Sequence, residues 1–226
     1  MKARLSRENI AARIARELED GYCVNLGVGI PLMVCSFIPA DKTIIFHAEN
    51  GVIGYGPVLT LEDADKMDYD LVNAFGQFIA PLPGLCVVDH ASSFALVRGG
   101  RLDISVLGAL QVSQGGDLAN WTTDHNWRQT KANLGGAMDI AVGANKVIAA
   151  MAHTTKDGQP KIVKKLTYPL TARQCVNLIV SDLAVLEVVE AGLLLREVAP
   201  GWTAQEVQAL TEAPLVIDRD LTEIEW

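Results

Sequence analysis

Nowhere in these 226 residues does an apolar run approach the roughly 20 residues that cross a bilayer as a helix, so no membrane span is expected. The first twenty residues are charged and amphipathic and lack the apolar core of a signal peptide. Positive charge is scarce: 19 lysines and arginines stand against 27 aspartates and glutamates, a formal net charge of -8. That balance argues against nucleic acid and anionic membrane as partners. The four cysteines, Cys23, Cys35, Cys86 and Cys175, lie in apolar contexts without a CxxC pair or any metal-ligand spacing. They are expected as buried free thiols in a reducing cytoplasm, with no metal site. Repeats and linkers are also missing, so residues 1–226 are expected as a single domain, long enough to bury a substantial core.

The elements follow from periodicity and capping. Ser6 caps a helix whose apolar face is Ile10, Ile14 and Leu18, closing at Gly21. Tyr22 to Leu26 reads as a strand that runs into Gly27-Val28-Gly29-Ile30-Pro31 and a second helix. Strands are expected through Cys86 to Val88, Ile104 to Leu107 and Lys146 to Met151, with a helix over Ala91 to Val97 ending at Gly99-Gly100. Thr171-Ala172-Arg173-Gln174 has the form of a capping box and predicts a helix carrying Val176, Ile179 and Val180. Leu183 to Val189 and Leu193 to Val198 predict a hairpin, Thr203 to Glu206 a capped short helix, and Pro214 to Ile217 a last strand. Glu62 to Asp68 reads as an exposed acidic loop.

The chain is organised around His47-Ala48-Glu49-Asn50-Gly51-Val52-Ile53-Gly54-Tyr55-Gly56-Pro57. Thr43 to Phe46 before it reads as a buried strand that ends on a carboxylate, followed by Asn-Gly and two more glycines. In an open α/β sheet the ligand crevice lies at the carboxyl ends of the strands. A glutamate held there, partly desolvated, is well placed to act as a covalent nucleophile. The competing reading makes Asn50-Gly51 a hairpin turn and Glu49 a solvated strand end.

Other candidates are weighed in the same way. Gly27-x-Gly29 between strand and helix suits either a phosphate cradle or a tight packed turn, and the third glycine of a dinucleotide fingerprint is absent. Gly115-Gly116 and Gly135-Gly136 suit a backbone that presents N–H groups to a ligand, or helix-start turns. Arg98 suits a bidentate carboxylate contact or a favourable charge at a helix end. His47 and His153 read as packed, hydrogen-bonded histidines, and Lys161, Lys164 and Lys165 as a solvated edge.

Taken in order, several segments resemble the β subunit of the family I coenzyme A transferases. They are Asn25-Leu26-Gly27-Val28-Gly29-Ile30-Pro31, Glu49-Asn50-Gly51 and Ser93-Phe94-Ala95-Leu96-Val97-Arg98-Gly99-Gly100. Gly116-Asp117-Leu118-Ala119-Asn120-Trp121, Gly135-Gly136-Ala137-Met138-Asp139 and Tyr168-Pro169-Leu170-Thr171 complete the set. The resemblance implies an α/β chain, a three-layer α/β/α open sheet of the CoA-transferase type. It implies an α subunit of related fold, an α2β2 assembly and an active site between subunits. Glu49 is then the nucleophile that becomes a CoA thioester, and the Gly136 N–H an oxyanion donor. Asn50, Gly51, Gly27, Gly29, Gly135 and Arg98 are expected to bind substrate or CoA. Coenzyme A enters as substrate and covalent intermediate, with no separate cofactor and no metal. The donor is expected to be an acyl-CoA such as succinyl-CoA or acetyl-CoA, and the acceptor a small carboxylate such as a 3-oxoacid. The chain departs from the family pattern at Ala48, where serine is usual, at Ala152, and across Thr122 to Lys131 with His125, Trp127 and Arg128. A thioester hydrolase with Glu49 as general base, and a non-enzymatic ligand sensor, are the competing functions.

Overall fold

The computed structural model describes residues 2–126 and 134–226. The first half runs α1 (Arg7–Ala15), β1 (Cys23–Leu26), α2 (Ile30–Met33), β2 (Ile45–His47), β3 (Val52–Ile53), β4 (Cys86–Val87), α3 (His90–Arg98) and β5 (Leu102–Gly108). The second runs β6 (Gln111–Ser113), β7 (Leu118–Ala119), α4 (Ala137–Gly143), β8 (Ala144–Met151), β9 (Ile162–Val163) and β10 (Val176–Ser181). It closes with β11 (Ala184–Val189), β12 (Gly192–Val198), α5 (Ala204–Ala209) and β13 (Leu215–Glu223). Local chemistry sets several boundaries. The Ser6 hydroxyl accepts from the Asn9 N–H at the start of α1, and the Asp89 carboxylate from the Ser92 N–H at the start of α3. Thr203 and Glu206 exchange both capping-box bonds at α5.

Ten strands form one sheet in the order β13-β12-β11-β10-β8-β5-β1-β2-β3-β4. The five from β10 to β2 are parallel, and antiparallel strands extend the sheet on both sides. A small sheet, β7-β6-β9, stands beside it. Alternation along the central strands feeds two cores. Val147, Ala149, Met151 and Ile179 pack with Val97 of α3, Ile140 of α4 and Val207 of α5. Ile148, Ala150, Leu178 and Val180 pack with Ile10 and Ile14 of α1. Helices therefore cover both faces of an open sheet, the three-layer α/β/α arrangement expected from the sequence.

Three local expectations change. Val176 to Ser181 is a strand, not a helix: its apolar residues alternate between the two cores, as a central strand covered on both faces requires. The Thr171 hydroxyl is not a helix cap but donates to the Asn120 side-chain carbonyl at 2.8 Å. Leu61 to Lys66 is an exposed 3-10 helix capped by Thr60 and Asp63, not an acidic loop without structure. Cys86 is exposed and the other three thiols are half-buried, not fully buried as expected. Burial pushes the Cys23 and Cys175 thiols up to about 11. Among the described residues, no helix is long and apolar enough to cross a membrane.

One ionic knot ties α1 to the sheet. Buried Arg13 bonds Glu197 of β12 through two nitrogens at 2.8 and 2.6 Å and Glu17 at 2.8 Å, and Lys146 of β8 reaches Glu17 at 2.7 Å. Burial by itself would raise the Glu17 carboxyl, but the bonds from Lys146 and Arg13 prevail and hold it below the ordinary carboxylate range. Arg13→Ala leaves the half-buried Glu197 without its ion-pair partner and Glu17 with Lys146 alone, and is expected to cost about 3–5 kcal/mol by urea unfolding. Glu17 adds stability above its unfolded pKa, and this is lost as the pH falls through the lower folded value. The acid-side drop in melting temperature should therefore be smaller in Glu17→Gln than in the wild type.

Candidate active site

The strand order reverses at β1, whose neighbours β2 and β5 are reached by connections running in opposite directions. Such a switch point leaves a crevice beyond the carboxyl ends of the strands. Three turns meet there. After β1, the Gly27 N–H donates to the Val106 carbonyl at 2.8 Å. A Cβ on Gly27 would lie 3.2 Å from that same oxygen, so the turn lies directly on β5. Gly29 follows with φ +88°, and the Arg7 guanidinium lies 3.3 Å from where its Cβ would be.

The second turn follows β2. The Gly51 N–H donates to the Ala48 carbonyl at 2.9 Å, which closes a β-turn over Ala48-Glu49-Asn50-Gly51 and pairs β2 with β3. The hairpin reading of Asn50-Gly51 is thus correct in geometry, but Glu49 is half-buried at the first central position, not solvated. Gly51 adopts φ +108°, and a Cβ there would collide with the Val88 carbonyl, so only glycine fits. Asn50 is exposed, and its side chain donates to the Val72 carbonyl at 2.9 Å.

The third turn is Leu134-Gly135-Gly136 at the start of α4, where Gly135 adopts φ +52°. It brings the glycine pair against the glutamate. A Cβ on Gly136 would fall 2.5 Å from Glu49 Oε2 and 2.5 Å from Cζ of Phe94. The absence of that one carbon lets the carboxylate lie against the backbone of residue 136. Phe94 itself is buried, and Arg98 spans its ring at 5.5 Å.

These turns line a cleft of about 640 Å³ that also takes in Asn120 and the ends of β5 and β8 at Leu107 and Met151. Of the sequence candidates it gathers Gly27, Gly29, Glu49, Gly135 and Gly136. Asn50, Gly51 and Arg98 do not line it. Arg98 instead bonds Asp139 at 2.8 Å on the surface, clamping α3 to α4. His47 and His153 are buried and hydrogen-bonded as expected. Burial lowers both, His153 to about 4, so both are neutral near pH 7. Two cations of the cleft, Arg7 and Lys161, were not singled out as site residues by the sequence. Lys161 is half-buried, donates to the Ala109 carbonyl at 2.9 Å, and has its pKa lowered by that burial. Its place before the apolar pair Ile162-Val163 was the available signal, whereas Lys164 and Lys165 are exposed. The His125 Nε2–H donates to the Thr167 carbonyl at 2.8 Å, and Trp127, Arg128 and Lys131 lie outside the described residues. Among the described residues no group of three or more His, Cys, Asp or Glu side chains could hold a metal ion.

The sequence model of the family described as coenzyme A transferase matches residues 7–210. The chain belongs to the coenzyme A transferase family. It is 45% identical over 213 residues to one subunit of the 3-oxoadipate CoA-transferase of Acinetobacter baylyi, covering 94% of this chain and 96% of that one. It is 44% identical over 216 residues to the β subunit of the acetate CoA-transferase of Escherichia coli K12, covering 96% of each. Among solved structures, an acyl-CoA transferase of Escherichia coli O157:H7 superposes with a TM-score of 0.73 at 22% identity. That match covers 98% of this chain and 43% of the longer polypeptide, and at that identity it speaks for the fold. The chain is a CoA-transferase subunit of the β type, an enzyme component that belongs with a second subunit.

The contact between residue 136 and the glutamate can be tested. A Cβ on residue 136 would meet Glu49 Oε2 and the ring of buried Phe94, so Gly136→Ala should displace the carboxylate and press on that ring. The expected result is a lowered melting temperature in a chain that still folds and a kcat lowered by roughly 100-fold.

Proposed function

We propose that Glu49 is the covalent nucleophile of this transferase and that the Gly136 N–H, which has no acceptor among the described residues, is one of two oxyanion donors. The observation that carries the reading is the half-buried Glu49 carboxylate on a closed turn, lying against Gly136 inside the cleft. A Glu49 oxygen attacks the acyl-CoA carbonyl, the C–S bond breaks, and CoA leaves as thiolate from an acyl-glutamyl anhydride. The thiolate then attacks the glutamyl carbonyl. This releases the acyl group as a free carboxylate and leaves a glutamyl-CoA thioester. A second carboxylate runs both steps in reverse, so one thioester is exchanged for another without ATP. Each step passes through a tetrahedral oxyanion, for which loss of one donor typically costs about 3–4 kcal/mol.

The second donor and much of the CoA contact come in this reading from an α subunit, in an α2β2 complex. The relatives' names, each of which is that of a subunit, support a second chain. The net charge of -8 also makes this chain alone a poor host for a polyanionic ligand. The donors proposed are succinyl-CoA or acetyl-CoA, and the acceptors 3-oxoacids or short carboxylates. Free thiols and the charge balance support a cytoplasmic setting. Transfer is preferred over hydrolysis because the relatives are transferases and the glutamate lies directly against the backbone of a glycine.

Incubating the αβ complex with acyl-CoA and no acceptor should place one CoA on the peptide containing Glu49. Turnover without any adduct there rejects the nucleophile. Glu49→Asp withdraws the carboxylate by about 1.5 Å and should lose most of its activity. Free CoA should accumulate no faster without an acceptor than the slow leak of the adduct. Rapid release would favour the hydrolase.

A further inference from the structure

Beneath the Glu49 turn lies a connected line of buried polar side chains. Asn25 on β1, His47 on β2, Ser93 on α3 and Ser105 on β5 are each no more than 4% exposed. The Ser105 hydroxyl donates to Asn25 Oδ1 at 3.4 Å. Asn25 Nδ2 donates to the His47 carbonyl at 3.2 Å and lies 3.4 Å from His47 Nδ1. At the far side of the ring, His47 Nε2 is 2.9 Å from Ser93 Oγ, and the Ser93 hydroxyl donates to the Ala48 carbonyl at 3.5 Å.

The chemistry of these groups orders the protons. An amide nitrogen only donates, so Nδ1 of His47 accepts and Nε2 carries the hydrogen of the neutral ring. Nε2–H then donates to Ser93 Oγ, which leaves the serine proton for the Ala48 carbonyl. That carbonyl is the acceptor that closes the Ala48–Gly51 turn by taking the Gly51 N–H at 2.9 Å. The line therefore ends on the peptide plane from which Glu49 projects. A carboxylate that must lie within about 3–3.5 Å of an acyl carbon, correctly aligned, depends on the direction of that plane.

Resting on the assignment of Glu49 as nucleophile, we propose that His47 and Ser93 are positioning residues: the Nε2–H of a neutral His47, relayed through the Ser93 hydroxyl, aims the Glu49 turn. Neither side chain touches substrate in this role. What they supply is orientation, so their loss appears in the rate of the chemical step and leaves binding alone.

The experiment is single-turnover loading of CoA on Glu49 in the αβ complex, with steady-state kcat and KM for acyl-CoA and the melting temperature of each variant. Ser93→Ala removes one oxygen and the relay with it. His47→Gln keeps an N–H near the Nε2 position, whereas His47→Asn is too short to reach Ser93. Loading and kcat should fall roughly 10- to 100-fold in Ser93→Ala and His47→Asn, with KM within about threefold of wild type. His47→Gln should recover most of the loss, and the Ser93→Ala/His47→Asn pair should be no slower than either single variant. Wild-type loading in both single variants, equal losses in the glutamine and asparagine variants, or an effect confined to KM overturns the proposal. Ser93→Ala leaves the ring and its packing in place, so it decides the matter if the histidine variants do not assemble. If the wild-type complex transfers CoA without ever carrying it on Glu49, the nucleophile assignment falls and takes this inference with it. If it carries CoA there and the variants load normally, only the positioning role falls.

Discussion

The arrangement depends on β1 being paired in parallel with β2 on one side and β5 on the other. Asn25 lies in register with His47 and with Ser105, so three strands run side by side toward the site. Everything at the site is hung from those ends: the Gly27 turn from β1, the Glu49 turn from β2 and the Ala109 backbone from β5. Because parallel strands are joined through crossovers, α3 and α4 lie over this end of the sheet. Phe94 and Gly136 arrive on those helices. A slip in the β1–β2 register would turn His47 out of the interior and carry the glutamate away from Gly136.

Small residues and buried hydrogen bonds divide the work of holding the site. Glycine at 51 and 136 removes atoms where backbone or carboxylate must come close, which no larger residue permits. The polar line below the turn has none of its side-chain atoms left without a partner: no buried side-chain nitrogen or oxygen among the described residues lacks one. Satisfied networks of this kind give a single geometry to an interior that apolar packing alone would leave more permissive. Glu49 thus projects from a hydrogen-bonded base into the cleft.

Much of this was legible in the order of the residues. A carboxylate after a β-branched run, followed by Asn-Gly, marks a turn at a strand end, and both the turn and its setting are present. The β11–β12 hairpin and the capped α5 were equally plain, since their signals are local. The capping-box pattern before Val176 misled because a short apolar run buried on both faces has no period that separates strand from helix. Contacts between distant segments left no mark on the sequence. Nothing in Leu134-Gly135-Gly136 announces Glu49 as its neighbour, and nothing in Arg98 announces that Asp139 would take its charge and keep it outside the cleft. Lys161 looked like one of three surface lysines until the strand after it turned its amine inward.

An open sheet of ten strands ends in two edges, and β13 is one of them. Val216 and Ile217 are exposed on it, which on a flat strand would invite another chain to add itself. The strand begins after Pro214, shifts register against β12 beyond Leu195, and continues through Asp218, Arg219 and Asp220 to Glu223. Proline, a shift in the ladder and a run of charged residues are the means by which natural sheets refuse an unwanted strand. These features make the border a poor template for the addition of another strand.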